Sequence, residues 1–256
     1  MEYSEFKELV GKLCGIDLSH YKSQQMDRRI NALMQSWGIG SYEEYLQVLK
    51  ENPVRFKDFV NKLTINVSEF FRNPERFEEL WHKIIPELLL HTRKLKIWSA
   101  GCSDGCEPYS ISIILNELKA VDGTKIFATD IDQEIIKKAK EAVYAENEMK
   151  NIPEDLKQKY FHPYQSFFQL NPEIKKIVEF KLHNLLNDPY ETDLDMIICR
   201  NVVIYFTEEA KNKIYERFIT SLKPGGYLLV GGTEPILQYR KLGLEHVMTS
   251  FYRKPL

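Results

Sequence analysis

The chain has 256 residues, enough for one large domain or for a small one followed by a medium one. Hydrophobic residues make up 43%, ordinary globular composition, and a formal net charge of −2 gives no global pull toward nucleic acid or an anionic membrane. No stretch of about 18 consecutive apolar residues occurs, and the leading EYSEFKELV is acidic and amphipathic, so the expectation is a soluble, cytoplasmic protein without membrane insertion.

Residues 1–92 read as helix after helix. Phe6, Leu9, Val10 and Leu13 recur at i, i+3, i+4 and i+7, and Met26, Ile30, Leu33, Met34 and Trp37 continue the pattern. Ser41 and Glu44 form a capping-box signature, while Asn52-Pro53 and Asn73-Pro74 each read as a cap followed by a first helical turn. On the second helix Lys22, Arg28 and Arg29 oppose a single acid, Asp27. That set is either a solvated face or a docking surface for an acidic partner.

From residue 94 the pattern becomes strand, helix, strand, helix. Apolar runs at 94–99, 125–129, 178–182, 195–199 and 227–230 alternate with helical stretches near 108–120, 132–145 and 208–222. This predicts an α/β fold with a mainly parallel sheet and helices on both faces. The turn Lys223-Pro224-Gly225-Gly226 ends the last long helix, and 246–253 returns as an antiparallel edge strand.

The stretch LKIWSAGCSDGCEPY, residues 95–109, reads as a strand, a ligand loop and a helix start. Gly101 and Gly105 allow close backbone approach, and Pro108 suits a first helical turn. The third glycine of a dinucleotide fingerprint is missing and no Lys-Ser/Thr pair follows, so NAD and ATP are poorly supported. Glu107 at the helix entrance repels phosphate and welcomes a cationic group. Asp130, in FATDID, ends the second strand where a carboxylate meets the ribose of a bound nucleoside, and Asp132 is the better candidate for capping the next helix. Asn184 follows the third strand and Arg200-Asn201 the fourth, so four strand ends bring polar groups to one rim. In TINVSEFFR, residues 64–72, the residues Asn66, Ser68 and Arg72 fall where the helical part joins the sheet, a place from which a segment closes over a ligand.

Four cysteines, Cys14, Cys102, Cys106 and Cys199, show no CxxC pair and no adjacent His cluster, so neither a disulfide framework nor a metal site is expected. If strands one and four are neighbours, Cys102, Cys106 and Cys199 share one end of the sheet, either as small packing residues or as a redox or metal trio.

TINVSEFFR, WSAGCSDGCEPYS, ATDID, HNLL and CRNVVIYF, in that order and spacing, resemble the CheR-type chemotaxis receptor methyltransferases. The resemblance covers nearly the whole chain. It implies a class I S-adenosylmethionine-dependent methyltransferase domain, Rossmann-like and doubly wound, over residues 69–256, preceded by a small all-helical receptor-docking domain over 1–68. It also implies methyl transfer to glutamate side chains in the cytoplasmic helices of chemoreceptors, giving glutamate methyl esters and S-adenosylhomocysteine.

Carried onto this sequence, the resemblance places Asn66, Ser68, Arg72, Glu107, Asp130, Asn184, Leu185, Arg200 and Asn201 around the cofactor. Arg72 and Tyr205 border the methyl-transfer site as the catalytic pair, and Lys22, Arg28 and Arg29 meet acidic receptor helices. Ser68 stands where many members have Thr. Cys106 replaces the first Glu of the family's Gly-Glu-Glu-Pro-Tyr, leaving Glu107 as the only carboxylate of that pair. HPYQSFF, residues 162–168, lacks the longer, glycine-bearing hairpin of members that grip a receptor-tail pentapeptide, so the chain resembles the pentapeptide-independent type. CRNVVIYF occupies the strand end where amino-group methylation requires Asn/Asp-Pro-Pro-Tyr, and the net charge argues against a nucleic-acid substrate. A methyltransferase for a different protein and a non-catalytic S-adenosylmethionine-binding module are the competing readings.

Overall fold

Among the described residues, four complete α-helices lie in the first of two compact units, Met1–Asn66 together with Tyr205–Asn212; the second comprises Val67–Ile204 and Lys213–Leu256. The computed structural model describes residues 1–64 and 68–256. The helices are α1 (Tyr3–Cys14), α2 (Ser23–Ser36), α3 (Tyr42–Glu51) and α4 (Pro53–Thr64). Their apolar stripes meet around Phe6, Ile30, Tyr45 and Phe59, all buried, with the Phe6 and Tyr45 rings stacked at 5.2 Å. Each such side chain contributes about 1.5–3 kcal/mol by leaving water. Leu13, expected in the stripe, is 36% exposed because Gly15 (φ 70) ends α1 immediately after it. Ser41 accepts from the Glu44 N–H at 3.2 Å, but the Glu44 carboxylate reaches back to the Gly40 N–H rather than to that of Ser41. Asn52 Oδ1 accepts from the N–H groups of Val54 and Arg55, capping α4 as expected.

The segment Tyr205–Asn212 belongs to the helical unit through a short antiparallel connection. The Lys22 N–H donates to the Tyr205 carbonyl at 2.8 Å, the Thr207 N–H donates to the His20 carbonyl at 2.8 Å, and the Tyr21 and Phe206 rings pack at 4.8 Å.

The second unit is a seven-stranded sheet of β1 (Lys96–Ala100), β2 (Lys125–Asp130), β3 (Val178–Leu182), β4 (Leu194–Cys199), β5 (Leu222–Val230), β6 (Glu245–Met248) and β7 (Phe251–Arg253), in the order β3-β2-β1-β4-β5-β7-β6. The first five strands are parallel, and β7 runs antiparallel to both of its neighbours, β5 and β6. The single edge strand expected near the end of the chain is therefore a hairpin, turning at Ser250 (φ 69). β5 starts earlier than expected. Lys223-Pro224-Gly225-Gly226 bulges out between Leu222 and Tyr227, and Gly225 and Gly226 exchange backbone bonds with Lys254.

The helix Cys106–Glu117 is covered on every side: Ile111, Ile113, Ile114 and Leu115 are all at 0% exposure, so it carries no polar face. Ser112 donates to the Ile174 carbonyl at 2.6 Å, which satisfies its hydroxyl inside the core. Between Pro74 and His91 the helix opens into one wide turn, Leu80–Ile84, just before Pro86, whose ring and missing N–H disrupt a regular turn there. The three-stranded antiparallel sheet Val143–Tyr144, Phe167–Leu170 and Phe161–Tyr164 was not foreseen in the sequence. Its strands are short and one of them contains Pro163 at an edge. Among the described residues no helix is long and apolar enough to cross a membrane.

Candidate functional site

The carboxyl ends of β1, β2 and β4 converge as the alternation of elements predicts. Asp132 caps the helix Gln133–Glu141, accepting from the N–H groups of Glu134 and Ile135 at 2.9 and 3.3 Å. That leaves the Asp130 carboxylate for the rim. Its Oδ2 accepts from the Ser103 N–H at 2.9 Å and its Oδ1 from the Asp132 N–H at 3.1 Å, and the Ile131 N–H also donates to the carboxylate, which leaves acceptor capacity among its roughly four lone-pair sites. Asp130 is 9% exposed, and burial, only partly offset by these N–H bonds, pushes its carboxyl up to about 6. Beside it, the Ser103 hydroxyl is buried with no hydrogen-bond partner among the described residues. Ser103 itself is in the left-handed region, at φ 50.

The loop glycines make room for the protein's own side chains. A Cβ at Gly101 (φ 81) would fall 2.4 Å from Val202 Cγ2, and one at Gly105 would crowd Ala139, Phe180 and Tyr109. The loop is tied to β2 by the Gly101 and Cys102 N–H groups, both donating to the Thr129 carbonyl, and Trp98 Nε1 donates to Thr129 Oγ1 at 2.9 Å.

Glu107 meets a cation, but an internal one. Arg200 Nη1 donates to its Oε2 at 3.3 Å and Ser99 Oγ to its Oε1 at 2.8 Å. Burial pushes the Glu107 carboxyl up, opposed by Arg200, the Ser99 bond and the more distant charge of Arg72. The Arg200 side chain is 3% exposed, and its Nη2 donates to the Arg72 carbonyl and to Asn73 Oδ1, each at 2.7 Å. Asn73 takes the N-cap position before Pro74 as expected, but at φ 60 its side chain makes no capping bond and holds Arg200 instead. Arg72 is half-buried between Phe71 (φ 49) and Asn73, two non-glycine residues in the left-handed region. Phe70, packed edge-on against Tyr144 and Phe161, and Phe71, whose N–H donates to Ser110 Oγ at 3.0 Å, keep that segment in place.

The Ser68 hydroxyl is hydrogen-bonded to the Cys106 sulfur. Asn66 lies outside the described residues. Cys106 is fully buried at the helix start, beside an acid the sequence reading passed over: Asp104, 2% exposed, which accepts from the Cys106 N–H at 3.4 Å and pairs with Lys138 at 3.2 Å. Cys102, Cys106 and Cys199 do share one end of the sheet, but all three are buried free thiols, pushed well above the ordinary thiol range by burial first and nearby carboxylates second. Burial and raised thiol pKa are those of packing residues, and among the described residues no group of three or more His, Cys, Asp or Glu could hold a metal ion.

Asn184 Oδ1 accepts from the Leu186 N–H at 2.9 Å and so shapes its own turn. The carbonyl of the buried Leu185 accepts from Tyr190 Oη and Arg217 Nη1, both at 2.7 Å. The backbone N–H of Asn201 (φ 59) donates to Glu234, a residue for which the sequence offered only a lone acid between a glycine pair and a proline. In the helical unit the Arg29 guanidinium lies 5.0 Å from the Tyr205 ring centroid and donates to the Leu63 carbonyl at 3.2 Å. Asp27 is held by Tyr3 and Lys7 of α1, while Lys22 and Arg28 are exposed.

Residues 66–250 match the CheR methyltransferase SAM-binding domain, and residues 1–64 match the CheR methyltransferase all-alpha domain. A chemotaxis protein methyltransferase from Listeria innocua is 38% identical over 254 residues, covering 99% of this chain and 97% of that protein. The chain belongs to the CheR methyltransferase family. Chemotaxis protein methyltransferases of Borreliella burgdorferi (34% identical, 99% of this chain and 94% of that protein) and Escherichia coli (33% identical, 91% and 83%) are further relatives. The CheR fold is the expected class I methyltransferase sheet with a preceding helical domain, and its cofactor is S-adenosylmethionine. The strand-end rim fits that cofactor: the Asp130 carboxylate retains acceptor capacity for a hydroxyl, next to a buried Ser103 hydroxyl without a partner among the described residues.

Proposed function

We propose that this CheR family member methylates glutamate side chains in the cytoplasmic helices of chemoreceptors, producing glutamate methyl esters. The observation that carries the reading is the match of both domains, end to end, to chemotaxis protein methyltransferases. Asn66, Ser68, Arg72, Glu107, Asp130, Asn184, Leu185, Arg200 and Asn201 are the proposed cofactor residues. Asp130 accepts from the ribose, and Glu107, Arg200 and Asn73 hold the neighbouring wall rigid.

Bound S-adenosylmethionine supplies a methyl group on a positively charged sulfur. The chain's residues have little proton chemistry to perform, because a glutamate with a reference pKa of about 4.3 is already an anion at neutral pH. Alignment is the larger contribution, worth up to roughly 7–11 kcal/mol. Tyr205 Oη fixes the substrate carboxylate by a hydrogen bond, and Arg72 steers it. Arg72 must not approach too closely, since strong pairing would stabilise the ground state and blunt the nucleophile.

In the helical domain, assigned to residues 1–68, Lys22 and Arg28 form the proposed docking surface for acidic receptor helices. Arg29, stacked on Tyr205, contributes less to it than the sequence suggested. Independence of a receptor-tail pentapeptide is supported by the two-residue, glycine-free turn Gln165-Ser166 between Phe161–Tyr164 and Phe167–Leu170. Incubation with methyl-labelled cofactor and a purified chemoreceptor cytoplasmic fragment tests the reading. Label on the fragment is expected whether or not a tail pentapeptide is present, whereas tight binding of S-adenosylhomocysteine without any transfer would mark a binding module instead.

A further inference from the structure

Glu234 is a buried carboxylate that the mechanism above does not use. It lies in Gly231-Gly232-Thr233-Glu234-Pro235, directly after β5, and is 3% exposed. Its hydrogen-bond partners are backbone amides. Oε2 accepts from the N–H of Asn201 at 2.6 Å and of Gly231 at 2.9 Å, Oε1 accepts from the N–H of Ile204 at 3.1 Å, and the Val202 N–H also donates to the carboxylate. A buried carboxylate is unfavourable unless fully hydrogen-bonded, and here the donors come from both sides of one turn. Three of them, at 201, 202 and 204, belong to the stretch that leaves β4, where Asn201 is left-handed and Val203–Tyr205 forms a tight turn. The fourth belongs to the end of β5. A second, independent feature points to the same carboxylate. A Cβ at Gly231 would fall 2.2 Å from Glu234 Oε2 and 3.0 Å from the Asn201 nitrogen, so the glycine is the space in which the carboxylate sits.

The residue before this turn is Arg200, which pairs with Glu107 and holds the Arg72 carbonyl and Asn73. The residue after Ile204 is Tyr205. We propose that Glu234 is a positioning residue for methyl transfer: its carboxylate clamps the 201–204 turn and thereby fixes where Arg200 and Tyr205 are presented. The inference rests on the roles assigned above to those two residues.

Glu234→Gln keeps the shape but turns an amide N–H2 toward backbone donors, and Gly231→Ala expels the carboxylate from the other side. Each is expected to lower kcat for receptor-fragment methylation by about 100-fold, the cost of a displacement near 1 Å at a reacting group. The KM for cofactor should change by only about threefold, a split that marks lost alignment rather than lost binding. The double variant should be no worse than either single one, because both remove the same clamp. Hydrogen exchange should speed up at the amides of Asn201, Val202, Ile204 and Gly231, the four that donate to the carboxylate, and normalising rates to the folded fraction removes any contribution from partial unfolding. A wild-type kcat in Glu234→Gln, multiplicative losses in the double variant, or a loss that vanishes on that normalisation would overturn the inference. Wild-type enzyme separates the two possible failures. If it transfers no methyl group, the functional reading falls and this inference with it; if it transfers and Glu234→Gln is equally active, the inference alone falls.

Discussion

Replacing Asp130 by Asn should leave the ligand-free protein as stable as before, or more so, while removing most of its affinity for S-adenosylhomocysteine. Burial raises the Asp130 carboxyl from 3.8 to about 6 in the folded protein. A shift of that size means that keeping the group ionised costs roughly 3 kcal/mol of stability. The sign follows from proton binding: the folded protein holds this proton more tightly than the unfolded chain. The associated stability is therefore present below about pH 4 and lost as the pH rises through about 6. Asn escapes that loss. It keeps one acceptor oxygen for the N–H groups of Ser103 and Asp132 but turns an amide toward the other, at a cost of about 1–3 kcal/mol. The two terms nearly cancel at pH 8, leaving a net change between about zero and 2 kcal/mol in favour of Asn. Binding moves the other way. A hydroxyl bond to a charged acceptor contributes about 1.5–3 kcal/mol, so affinity should fall by about 10-fold or more. Thermal melts of the ligand-free proteins and isothermal calorimetry with S-adenosylhomocysteine read the two effects separately. Wild-type affinity should also weaken below about pH 6 as Asp130 takes up its proton, and that dependence should be absent in Asp130→Asn. Binding within about threefold of wild type, or a ligand-free protein destabilised by more than about 3 kcal/mol, would refute the reasoning.

Other substitutions probe the remaining parts of the site. Glu107→Gln leaves the Arg200 cation buried without its partner and should lower stability by about 3–5 kcal/mol, read by urea denaturation. Ser110→Ala removes the hydroxyl that joins the Phe71 N–H to the Cys106 carbonyl, and should cost about 1–3 kcal/mol by the same measurement. Tyr205→Phe and Arg72→Ala should lower receptor methylation while circular dichroism stays unchanged; wild-type rates in both would remove them from the mechanism. Reversing the charges of Lys22 and Arg28 should raise the KM for receptor fragment and flatten its salt dependence, whereas an unchanged salt dependence would make that face merely solvated.

The ends of the parallel strands were legible because the pattern of Asp130 and Asp132 needs only one helix cap, and the second carboxylate had to do something else. The loop glycines were legible as a tight approach but not for its object, since Val202, Ala139 and Phe180 reach them from distant parts of the chain. The partner of the Asn73 side chain was hidden because Asn-Pro is a local signal and Arg200 a tertiary one. Glu234 was invisible for the same reason: three of its four donors are backbone amides about thirty residues away, and amides leave no mark on the sequence. The grouping of residues 205–212 with the helices was equally hidden, because a contiguous reading of the chain cannot show that Tyr205 and Thr207 exchange backbone bonds with Lys22 and His20.

The chemistry of the product bond tests the central claim most directly. A chemoreceptor cytoplasmic fragment labelled from methyl-tritiated S-adenosylmethionine should release its label as volatile methanol on mild alkaline treatment, because a glutamate methyl ester is hydrolysed there. Label that stays on the protein through alkali would place the methyl group on nitrogen and contradict a glutamate methyltransferase.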